Sequence, residues 1–185
     1  MNSTLDKAIQ LINHANANDP NNGVEKLYSK HMLETLRAFD NSASEPLTLA
    51  CYAQHVCRWK LVREDYPEGL DGYLRWRTEL AKLHAKILGE AMQEVGYDAD
   101  AVKRAQHIIQ KRKLKTDPDS QTLEDVSCLV FLQHYLGPFV KKHSEDKVVD
   151  IIKKTWVKMS DKGQQVALQA ELPEHLSVLV KKALA

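Results

Sequence analysis

Apolar residues recur at helical spacing along nearly the whole chain, and no stretch alternates convincingly between apolar and polar with period two. A first segment is expected from Thr4 to about Ala15, with Leu5, Ala8, Ile9 and Ile12 on one face and Ser3 as N-cap. Asn16 to Gly23 is dense in turn-forming residues and reads as a loop. A second segment runs from Val24 to Phe39 through Leu27, Tyr28, Met32 and Leu36, and Asp40 to Ser44 forms the next loop. The third begins near Pro46, tolerated in a first turn, and continues with Leu47, Cys51, His55, Arg58 and Val62 on one face. The fourth and longest, Gly72 to about Val95, carries a stripe of Tyr73, Arg77, Leu80, His84, Ile87, Ala91 and Val95, with Gly96 as the closing residue.

Asp98 opens a fifth segment with Val102, Ala105 and Ile109 inward; it ends in the basic run Lys111–Lys115. Thr116 to Ser120 reads as a loop. The sixth segment, from Thr122, is apolar almost all round through Leu132, which predicts a central buried helix that Gly137-Pro138 then breaks or kinks. Ser144 caps a seventh segment carrying Val148, Ile151, Ile152, Thr155 and Trp156. Two shorter pieces follow, about Lys162–Leu172 and Pro173–Leu184. The pattern predicts an all-α fold, and 185 residues suit one domain with its own core, 1–185.

Composition narrows the function. Lys plus Arg number 26 against 25 acids, a net charge of +1, which argues against a surface built to grip a long polyanion and leaves room for a local anion pocket. The three cysteines, Cys51, Cys57 and Cys128, are odd in number and form no CxxC, so neither a disulfide framework nor a zinc knuckle is indicated. The N-terminal residues lack an apolar signal core and no apolar run approaches the ~20 residues of a membrane span, so a reducing cytoplasm is the expected location.

Candidate chemistry gathers in two stretches, Gln54–Ala85 and Thr122–Leu132. His55 and His84 each lie on an apolar face, where an imidazole needs a partner; they are either hydrogen-bonded core histidines or members of one site. Arg58 and Arg77 point to the same sides as their histidines and offer forks suited to phosphate or carboxylate, unless each pairs with a structural acid such as Glu64, Asp65 or Glu124. Thr122-x-x-Asp125 has the form of a capping box, yet Glu124 and Asp125 head a helix apolar enough to bury them, where a carboxylate requires a cation. Lys111 and Lys113 belong either to a solvated helix end or to the same pocket. The cysteines fit the core better than a nucleophile's role, and P-loop, GxGxxG, HExxH and GxSxG motifs are all missing.

Over about residues 3–185 the chain resembles a bacterial and fungal family of unknown function, some fungal members of which carry a glutamyl-tRNA synthetase label of spurious look. The matching motifs are His55 to Trp59, Tyr66-Pro67, Gly72 to Arg77, His84-Ala85 and Leu123 to Phe131. Val62 stands where many relatives have Pro, and Ser127 where Ala is usual. More distantly, the order of parts is similar to the HD-domain phosphohydrolases, all-helical proteins that bind metals through His and Asp. The departures are large: no His-Asp dipeptide occurs, Trp76-Arg77 falls near its place, basic residues at Lys111–Lys113 replace a later His, and Leu129–Phe131 replace a later Asp-containing motif.

The HD resemblance implies an enzyme, or degenerate enzyme, acting on a phosphorylated small molecule or nucleotide. Arg58, Arg77, Lys111 and Lys113 would clamp the anion, and Glu124 would act as general acid or base with His55 or His84 assisting. A variant places a divalent metal on His55, His84 and Asp125. The alternatives are a non-catalytic helical module binding an anion or a protein, and an RNA-binding protein. No membrane partner is expected.

Overall fold

The computed structural model describes residues 3–185; Met1 and Asn2 of the expected single domain lie outside them. Every regular element among the described residues is helical, so the fold is all-α. Two compact units divide the chain, one ending at Leu123 and one beginning at Glu124.

The first unit contains α1 (Thr4–Ala15), α2 (Val24–Phe39), α3 (Glu45–Tyr52), α4 (Gly69–Glu94) and α5 (Ala99–Ile109), with α4 and α3 both packed against α5, and α1 against α3 and α4. Capping sets several of these limits. Ser3 and Asp6 form a capping box at the start of α1, and Asp98 accepts from the Ala101 N–H at the start of α5. At the end of α4, the Gly96 N–H reaches the Gln93 carbonyl and the Tyr97 N–H the Met92 carbonyl, with Gly96 at φ 94°, a Schellman closure.

The third segment departs from expectation. Helix α3 ends at Tyr52, and residues 53–68 run through turns and two short 3-10 pieces, Arg58–Lys60 and Arg63–Asp65. The face that periodicity drew from Leu47 to Val62 is therefore not helical beyond Tyr52. The reason is a contact from 41 residues upstream: the Asn16 side-chain oxygen accepts from the Cys57 N–H at 2.9 Å, and Cys57 adopts the left-handed region at φ 53°. Pro67 then closes onto α4 at Gly72, where a Cβ would stand 1.8 Å from the Pro67 carbonyl oxygen, so only glycine admits this approach. The buried stripe of α4 is Gly72, Trp76, Leu80, His84, Ala85, Leu88, Gly89, Ala91 and Met92, which leaves Tyr73 and Arg77 exposed.

Helix α6 (Pro118–Val130) starts four residues earlier than its apolar run suggests. The Asp117 carboxylate accepts from the Asp119 and Ser120 N–H groups, and Pro118 takes the first position, where its missing N–H costs nothing. Thr122 and Asp125 therefore lie inside the helix and form no capping box.

The second unit holds the rest of α6, a π-helical turn (Phe131–Tyr135), α7 (Leu136–Val140), α8 (Glu145–Trp156), α9 (Asp161–Gln169) and α10 (Glu174–Leu184), with α7 and α10 both against α8. Gly137-Pro138 does not break the helix. In an unbroken α-helix the proline ring would collide with the carbonyl of His134, and the widened turn immediately before it absorbs that conflict. Asp125 organises this unit: it accepts from the Ser160 N–H at 2.7 Å and from the Ser160 hydroxyl, which in turn accepts from the Gly163 N–H at the start of α9.

Candidate functional site

Within the first unit a cavity of about 420 Å³ opens between the turns after α3, the middle of α4 and the residues ending α5. Five cations line it: Arg58, Arg77, Lys82, Lys111 and Arg112. No carboxylate does. His55 and His84 share the wall, their ring centroids 6.4 Å apart, with Leu74, Leu80 and Ile109 supplying apolar surface.

Each position has a local cause. Arg77, Ala81, Lys82 and His84 share the cavity face of α4 through helical spacing. His55 and Arg58 arrive on turns rather than on a helix. Lys111 is placed by a backbone reversal at φ 52° just past α5, and Lys113, at the same φ, is exposed and does not line the cavity. Structural acids do not neutralise the two arginines: neither Arg58 nor Arg77 makes an ion pair or hydrogen bond to a described residue. Arg58 instead lays its guanidinium over the Trp76 ring, 4.8 Å from the centroid, while the Trp76 indole N–H donates to the Leu61 carbonyl. Burial, and then the neighbouring Arg77, lower the Arg58 pKa.

The histidines are neutral bases. Nδ1 of His84 lies 2.8 Å from the Val56 carbonyl oxygen, which can only accept, so that nitrogen carries the proton and Nε2 is left with a lone pair. Burial, with Arg58 and Arg77 beyond it, pushes His84 down to about 4 although the Val56 bond opposes this. His55 stacks on Tyr28 at 3.7 Å and 11°, and burial and the surrounding cations hold its pKa well below the usual value. Its Nδ1 is 3.6 Å from Glu25, a carboxyl that burial raises to about 7. With both groups shifted towards neutrality and the distance long, the contact is closer to a polar pairing than an ion pair.

The carboxylates expected in the site lie in the second unit. Glu124 is buried there, with the Cys128 thiol 3.9 Å from one oxygen. Asp125 is committed to Ser160. Among the described residues no three His, Cys, Asp or Glu side chains are grouped to hold a metal ion. The cavity's cations would also repel one. Of the set His55, His84 and Asp125, the two histidines belong to the first unit and Asp125 to the second. The three cysteines are buried and form no disulfide, as expected of core residues.

Lys82, Arg112, Gln54 and Glu25 were not singled out in the sequence. Lys82 and Arg112 were findable: Lys82 falls on the same α4 face as Arg77 and His84, and Arg112 belongs to the basic run. Glu25 reads as an ordinary first-turn acid, and nothing local shows that it meets His55.

Fold and site together define an all-α protein with a cation-lined cavity and no helix long and apolar enough to cross a membrane among the described residues. The chain belongs to the family described as Domain of unknown function (DUF4202), whose family model matches residues 6–180. No curated protein and no solved structure matches it.

Proposed function

We propose that this cavity binds a phosphorylated small molecule, nucleotides included, through direct contact with its cationic side chains. The observation that carries the reading is the pair of unneutralised arginines: five cations face one concavity without a carboxylate among them, in a chain whose net charge is only +1. Arg58 and Arg77, held close enough for Arg77 to lower the Arg58 pKa, are stabilised by an anion from solution. Their arrangement around one concavity, instead of along a strip, suits a small ligand over an RNA chain.

Phosphoester hydrolysis is the reaction such a clamp would serve: a water attacks phosphorus, the ester oxygen leaves, Arg58 and Arg77 stabilise the phosphoryl oxygens, and His55 or His84 takes the water's proton. A second reading, binding without turnover, is favoured by one observation: at about 4, His84 is a weak base at neutral pH. A bound dianion would raise it, since an opposite charge nearby favours the imidazolium.

Thermal shift with inorganic phosphate and pyrophosphate tests the reading. Ligand at a hundred times its Kd adds about 2.7 kcal/mol of stability, so the melting temperature rises in the native protein and fails to rise in Arg58→Ala and Arg77→Ala. An unchanged melting temperature for the native protein with every phosphate compound rejects it. Phosphate release from phosphomonoesters then separates turnover from binding.

A further inference from the structure

The cavity holds donors in excess, and two acceptors that stand apart, on His84 and Gln54. Arginine and lysine only donate. Gln110 is used locally, its Nε2 donating to the Gln106 carbonyl and its Oε1 accepting from Arg112. Nε2 of His84 is different: the Val56 carbonyl fixes the proton on Nδ1, and no described residue donates to Nε2. Gln54, another wall residue, is 8% exposed and its buried Oε1 also meets no donor.

We infer that the ligand is a phosphate ester whose carbon part carries a hydroxyl group, which donates to Nε2 of His84. The inference rests on the reading of the cavity as a phosphate site and narrows it. A phosphate dianion offers acceptors alone, so it satisfies the cations and leaves His84 facing another lone pair. An ammonium donor is repelled by five cations, which leaves a neutral donor such as a hydroxyl. Size agrees: about 420 Å³ lies within the range of small-molecule sites and far exceeds one phosphate group. Sugar phosphates and nucleoside monophosphates share this chemistry.

Titration calorimetry on the native protein with ribose 5-phosphate, adenosine 5′-monophosphate, butyl phosphate and inorganic phosphate tests it. The hydroxylated esters should bind about tenfold more tightly than butyl phosphate, the worth of one hydrogen bond. In His84→Asn the amide nitrogen can still donate to the Val56 carbonyl while the Nε2 position is lost, and the preference should fall below about threefold. The tighter of the two hydroxylated ligands identifies the source, sugar or nucleoside. Equal binding of butyl phosphate and ribose 5-phosphate by the native protein overturns the inference and leaves the phosphate site standing. So does a tenfold preference that survives in His84→Asn. Binding of none of the four overturns both. The native-protein comparison decides even if the variant does not fold.

Discussion

Arg104 and Arg58 place the same side chain in opposite surroundings within one unit. Arg104, on α5, grips Asp117 through both terminal nitrogens and reaches Asp119 at 2.7 Å, while His107 approaches Asp117 at 3.2 Å. Its hydrogen bond to Asp117 raises the arginine's pKa and drives the Asp117 carboxyl well below the carboxylate range. Arg58 has no carboxylate partner, lies on an aromatic face and has its pKa lowered. The first cluster is complete: it ties the end of α5 to the cap of α6. The second brings together two arginines, Arg58 and Arg77, that no carboxylate of the described residues grips. Charge alone does not distinguish a structural network from a binding site; the presence or lack of a partner does.

The largest effect is expected where a carboxylate is fully used. Asp125→Ala removes the acceptor for both the N–H and the hydroxyl of Ser160 and should cost about 3 kcal/mol in denaturant unfolding. A loss under about 1 kcal/mol would mean that Asp125 does not anchor α9. Asp117→Ala comes next: it deletes the α6 cap and the partner of Arg104, and about 2 kcal/mol should be lost, part of the ion pair being discounted for the exposure of Arg104.

The cavity responds to pH instead. His84 at about 4 lies below its ordinary 6.5, so the unfolded chain takes up that proton first and stability falls as pH drops from 6.5 towards 4. His55 acts in the same direction. Glu25, raised from 4.5 to about 7, acts oppositely, since the folded chain keeps a proton that the unfolded chain releases, and its contribution is lost as pH rises through that window. Two histidines are thus partly masked by one carboxyl. Glu25→Gln should steepen the rise of stability between pH 4.5 and 6.5 by up to about 1.4 kcal/mol per pH unit; an unchanged slope would show that Glu25 is already ionised there. The smallest effect belongs to Arg77→Ala, whose side chain has no partner to lose: stability should stay within about 0.5 kcal/mol while phosphate-induced stabilisation disappears. Destabilisation as large as that of Asp117→Ala would erase the contrast between the two clusters.

Local signals made much of this legible. Helices α1, α2 and α5 start where Ser3, Gly23 and Asp98 indicate, because caps and periodicity act over a few residues. The end of α3 was not legible, because a side chain from the loop after α1 takes the Cys57 N–H. Asp117-Pro118 reads as a breaker and serves as a start, the same residues suiting both. In the site, His55, His84, Arg58, Arg77 and Lys111 do meet, although the first and third were placed together by a helical face that ends at Tyr52. Glu25 needed the tertiary fold to reveal it.

The stack of Arg58 on Trp76 has an optical consequence. An indole's emission depends on the charges beside it, and this one is buried, fixed by its N–H and covered by the very cation that a ligand would engage. The molecule thus carries its own fluorophore against a cavity-lining arginine, and a titration needs no label. Phe in place of Trp59 and Trp156 would leave Trp76 as the sole tryptophan.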